Sequence, residues 1–232
     1  MANFKTHLIG GTIVSSAGAF ASFGQGLSGP GETQALFVVG VAGSLLPDID
    51  ADDSKPMRAV FDLAGIVVGF LVAFRFAEHL KMLDLVLIWG CVWLAMCFPV
   101  RMLFARFTVH RGIWHTLLMA LVLALTATIA ADFLLDLAPT LAWLVGGFTL
   151  LGYLTHLLLD EFASVDLFDR RVKRSFGTAF KPLSLKAWPA SLSLIGVLYV
   201  QIGLTPDPAP ILAAMGSIGI ETQLLAAVWP RW

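Results

Sequence analysis

Long apolar stretches broken by short polar words set the plan of this chain. The runs Leu8–Phe23, Ala35–Leu46, Ala59–Phe74, Leu83–Val100, Thr116–Leu137, Leu141–Leu159, Ala190–Leu204 and Ile211–Val228 carry few or no charges. Several approach the ~20 apolar residues that a helix needs to cross hydrocarbon. They predict an all-α fold, a multispanning transmembrane bundle of seven or eight helices, with 211–228 as the eighth. The first run is rich in Gly, Ser and Ala. It is read as a span and not as a signal peptide, because cleavage after Ala19-Phe20-Ala21 would discard His7.

Composition strengthens this picture. The 232 residues are 58% hydrophobic and only 13% charged, and the mean hydropathy is +0.83. Soluble domains carry about a quarter charged residues, so the chain reads as one membrane-embedded domain over 1–232. A net charge of −1 gives no electrostatic footprint for nucleic acid, and membrane lipids are the partners expected. The charges are unevenly placed: of 15 basic residues, all but Arg75 and Lys81 fall on one side if the N-terminus is cytoplasmic. That bias follows the positive-inside rule and predicts cytoplasmic termini. One long polar connection, Asp160–Pro189, mixes Phe162, Phe168, Phe176, Phe180 and Trp188 with the basic run Arg170–Arg174. Basic and aromatic residues in alternation belong in a headgroup layer.

The polar words carry the candidate chemistry. Thr6-His7 opens the first run, Pro47-Asp48-Ile49-Asp50 follows the second, His110-Arg111-Gly112-Ile113-Trp114-His115 precedes the fifth, and His156-Leu157-Leu158-Leu159-Asp160 closes the sixth. In the N-in topology all four lie at the cytoplasmic face. His156 and Asp160, four residues apart, share one helical face. A turn at Gly112 can fold His110 and His115 toward one point, and Asp48 and Asp50 in an extended turn would point the same way. Each motif has an ordinary reading as a cap, a solvated turn or a snorkelling side chain, which is the reading given to Asp52, Asp53 and His79. Scattered snorkelling residues have no reason to collect at one face. His7, Asp48, Asp50, His110, His115, His156 and Asp160 are therefore expected to bind one or two divalent metal ions. A mixed imidazole and carboxylate set favours zinc, with manganese as the alternative.

These four motifs in this order resemble the YdjM-like family of bacterial inner-membrane metal-dependent hydrolases. The resemblance covers about residues 1–185, while 190–232 contributes only hydrophobic C-terminal helices. It implies an inner-membrane location and hydrolase activity. More distantly, the ligand set is similar to that of the all-helical zinc phospholipase C and P1-type nuclease group. The expected function is hydrolysis of a phosphoester or lipid-linked substrate by metal-activated water. In that scheme Asp48 is a ligand or the general base, and Arg111 pairs with a phosphate and stabilises developing charge. A divalent-cation transporter and a non-catalytic scaffold stapled by metal are the alternatives.

Overall fold

The computed structural model describes residues 3–50, 55–102, 113–166, 171–172, 181–185 and 187–217, with side chains at all of these except 49–50, 55–60, 164–166, 171–172 and 217. Among the described residues there are eight α-helices: α1 (Phe4–Gly24), α2 (Pro30–Gly43), α3 (Lys55–Arg75), α4 (Met82–Ala95), α5 (Leu117–Leu135), α6 (Pro139–Ser164), α7 (Trp188–Ile202) and α8 (Ala209–Ser217). The fold is all-helical apart from a two-residue ribbon in which Val165–Asp166 pairs antiparallel with Arg171–Val172. By length and composition Met82–Val100, Leu117–Leu135 and Pro139–Ala163 can each cross a membrane. The helices form two compact units, Met1–Pro47 with Trp114–Trp232, and Asp48–Ile113.

The first unit is held by helices that approach closely at small residues. Starting at Pro30, whose missing N–H costs a helix nothing at this position, α2 has its first turn closed by Glu32 Oε2, which accepts from the Gly29 N–H at 2.6 Å. It packs on α1 and α6. A Cβ at Gly11 would strike Ser44, one at Gly40 would strike Ser15, and one at Gly43 would meet the Thr149 backbone at 2.7 Å. Gly152 lies directly against the carbonyl of Gly40. Such stripes let backbones approach where the lipid phase supplies no hydrophobic drive between helices. Leu36, Ala19 and Phe148 fill the centre of this contact. On the other side α6 packs on α5, and α5 on α7, where Gln201 Nε2 donates to Thr126 Oγ1 at 2.7 Å and to the Val122 carbonyl at 3.2 Å.

The second unit is the hairpin of α3 and α4. Gly69 admits Trp89, whose indole N–H donates to the Ile66 carbonyl at 3.1 Å, and Gly65 admits Trp93. Past Ala95 the helix widens into a π turn, Met96–Val100, that carries Pro99. A proline lacks the N–H that an α-helical turn would use.

Candidate metal centre

Local sequence brings each ligand into place. Asn3 caps α1, its side chain accepting from the Thr6 N–H at 2.9 Å, so the helix begins at Phe4 and His7 stands inside its first two turns. The apolar run by itself starts at Leu8, which puts His7 ahead of the helix. The cap starts the helix earlier and turns the imidazole inward, to 1% exposure. At α5 the cap is Thr116, whose hydroxyl accepts from the Met119 N–H at 3.2 Å. The N–H groups of Leu117 and Leu118 donate to the carbonyls of Lys181 and Pro182 at 2.9 and 3.1 Å. His115, one residue before the cap, is thereby fixed at the mouth of α5. Tyr153 on α6 adds a hydrogen bond from its hydroxyl to the Trp114 carbonyl. His156 and Asp160 sit one turn apart near the end of α6 and are buried, as is His115.

Three imidazoles converge on one carboxylate. Asp160 Oδ1 lies 3.3 Å from His7 Nε2, and Asp160 Oδ2 lies 3.6 Å from His115 Nε2 and 3.9 Å from His156 Nε2. The His7 and His156 rings stack at 3.6 Å with 10° between planes, and His115 meets His156 edge-on at 5.7 Å. His156 Nδ1 lies 2.8 Å from the Ser44 carbonyl. A carbonyl can only accept, so Nδ1 carries the proton, and in the neutral ring Nε2 presents its lone pair toward the carboxylate. That carbonyl is available because α2 ends at Gly43, leaving its last carbonyls without helical partners.

The spacing fits a metal ion better than it fits direct hydrogen bonds. N–H···O bonds centre near 2.9 Å, and all three contacts are longer. Two ligand atoms each about 2.1 Å from a shared ion at the tetrahedral angle stand about 3.4 Å apart, which is where these contacts begin. One ligand atom from each of His7, His156 and Asp160 falls within 4.8 Å of the others, so this group can hold a metal ion. Among the described residues His7 Nδ1 and both ring nitrogens of His115 have no hydrogen-bond partner. Buried polar atoms rarely go unsatisfied, and an ion at this point would take up the lone pair of His115 Nε2.

Of the seven predicted ligands, the first unit thus brings together His7, His115, His156 and Asp160. Asp48 is half-buried in a 3-10 turn, Leu46–Asp50, and is the first residue of the second unit. The expected extended turn is wound instead, because Pro47 fixes a helical φ at its start. Asp50 belongs to the same turn, and its side chain lies outside the described residues. His110, Arg111 and Gly112 also lie outside them. His79 is exposed. The sequence reading missed Asn3, Ser44, Thr116 and Tyr153, which position the ligands. Only the caps had a signal, as polar residues just ahead of apolar runs.

The chain belongs to the YdjM inner membrane protein family, whose family model matches residues 1–228. No curated protein and no solved structure matches it. Family and apolar helices together make this a membrane protein.

Proposed function

We propose that the protein is a membrane-bound, metal-dependent hydrolase of phosphoesters, with its centre built on His7, His115, His156 and Asp160. The observation that carries this reading is the convergence of three buried imidazoles on one buried carboxylate at ligand-to-ligand spacing. A divalent ion held there, zinc or manganese by its donor set, would supply Lewis acidity and a water acidified to a pKa of about 7. The protein's part is orientation. Ser44 fixes the His156 tautomer, and Tyr153 holds the chain that carries His115. On sequence grounds alone Asp48 is the proton acceptor or a further ligand, Asp50 and His110 are further ligands, and Arg111 is the clamp for the phosphate.

The basic residues of the first unit that lie at this end, Lys5, Arg171 and Lys181 among them, support a cytoplasmic orientation under the positive-inside rule. A second reading draws on burial. All four ligands are 5% exposed or less, as in closed structural sites where an ion staples helices.

Activity per bound metal separates the two readings. Arg111→Ala should keep the metal and lose about 10²–10³-fold in turnover of a phosphoester substrate found by screening, and Arg111→Lys should recover little. Full activity in Arg111→Ala would refute the clamp. Absence of turnover by the intact, metal-loaded protein on every phosphoester tried would leave the staple.

A further inference from the structure

The position of the centre along its helices identifies a source for the substrate. At 1.5 Å per residue Asp160 lies about 32 Å along α6 from Pro139, and His7 about 26 Å along α1 from Gly24. The hydrocarbon layer is about 30 Å thick. A helix whose apolar span runs from Pro139 to Ala163, set across that layer, would place Asp160 near the boundary where lipid phosphates begin. The chain near these residues has the same character. Phe4, three residues before His7, Phe162, two after Asp160, and Leu185 and Trp188, which follow the Lys181 bridge, are all more than half exposed. Lys5 is exposed, Lys181 is half-buried, and Glu161 is the acid next to Asp160. Aromatic and basic side chains together at this depth anchor in headgroups and attract anionic ones. The ligands themselves are nearly closed to bulk water.

We infer that the phosphoester acted on is that of a lipid seated in the adjoining leaflet, presented to the centre at its own depth, and not one diffusing from the aqueous phase. This rests on the hydrolase reading above. In the reaction a bond forms between the water oxygen and phosphorus, the bond from phosphorus to the leaving alcohol oxygen breaks, and one water proton ends on that alcohol. The lipid keeps its acyl chains in the membrane throughout, so binding asks for no extraction from the bilayer. Phe4, Phe162 and Trp188 then serve to hold the rim at phosphate level.

The test uses the full chain in phosphatidylcholine nanodiscs containing a small fraction of phosphatidic acid, loaded with Mn²⁺, with inorganic phosphate added outside. The paramagnetic ion broadens the ³¹P line of any phosphate close to it. The lipid phosphate line should broaden beyond the level seen with His156→Ala, and the free phosphate line should match that variant. Broadening of free phosphate with the lipid line at the level of the variant would overturn the inference and leave the hydrolase reading standing. Failure of the wild-type protein to bind Mn²⁺ or Zn²⁺ would remove both. Lipid broadening without turnover of any lipid phosphoester would overturn the inference, because the lipid would then be bound and not acted on.

Discussion

The two ends of the first unit are made by the same helices and treat charge in opposite ways. Where α1 begins and α6 closes, a carboxylate and three imidazoles are buried together. Where α1 ends and α6 begins, Glu32, Asp132, Asp136 and Asp207 are exposed or half-buried. The acids at that far end do local work: Glu32 accepts from the Gly29 N–H, and Asp207 accepts from the Ala209 N–H at 2.9 Å. A carboxylate that caps a helix at the surface needs no further partner. One buried among imidazoles at 3.3–3.9 Å stands instead at the spacing of ligand atoms around a shared ion. A polar residue near a helix end is thus informative by its burial and company, and not by its type.

The largest effect should come from breaking the buried end. His156→Ala should lower metal affinity by more than the roughly 10–100-fold typical of losing a supporting residue around a metal site. It should also abolish the rise in melting temperature on adding metal to chelator-treated protein. For the wild type that rise reflects about 2.7 kcal/mol when metal stands at 100 times its Kd. Asp207→Asn at the other end should change stability by no more than about 0.5 kcal/mol, with metal content unchanged. Metal analysis and thermal melts of the purified variants check both. Equal losses at the two ends would dissolve the contrast.

A smaller effect should follow from crowding the support under the ligands. The Cβ of Gly152→Ala would press on the Gly40 carbonyl and lie 2.7 Å from the Ser44 backbone nitrogen, moving the turn whose carbonyl orients His156. A cost of about 1–3 kcal/mol is expected, with weakened metal binding. Gly147 on the same helix has open space where a Cβ would stand, and Gly147→Ala should instead stabilise by about 0.5–1 kcal/mol. Melting temperatures of opposite sign in the two variants are the signature. If both destabilise, the crossing at Ser44 is not special.

The smallest effect concerns Tyr153. Tyr153→Phe removes one hydrogen bond, worth about 0.5–1.5 kcal/mol, and should weaken metal binding about tenfold through His115. Titration with zinc in a competing chelator can resolve that difference. An unchanged affinity would mean that the Thr116 cap and the Lys181 bridge hold His115 without help.

The legible part of this site was the part written in periodicity. His156 and Asp160 could be paired from their spacing, since four residues bring side chains to one face of any helix. His115 could be placed before α5 because an apolar run begins at the next residue. The burial of His7 was not legible, because it depends on where Asn3 starts the helix, a shift of a few residues that apolar patterning does not resolve. Ser44 was invisible for a different reason. Its contribution to His156 is a backbone carbonyl, which every residue possesses, and only the close crossing at Gly11 and Gly152 delivers it. Tyr153 lay hidden within an apolar run, where an aromatic reads first as packing.

The hydrogen bond between Ser44 and His156 joins positions 112 residues apart in the chain, and Asp160 meets His7 across a still longer interval. Contacts this distant in sequence form late, after the loop between them has closed. During synthesis from the N-terminus, α1 and α2 are therefore made while the imidazole of His7 still awaits its companions, and the centre can close only once α6 has joined them. Metal uptake at such a centre would then be a clock for assembly. A chain halted before residue 160 should enter the membrane without an ion, and the appearance of bound metal should mark the moment at which the helices find their final order.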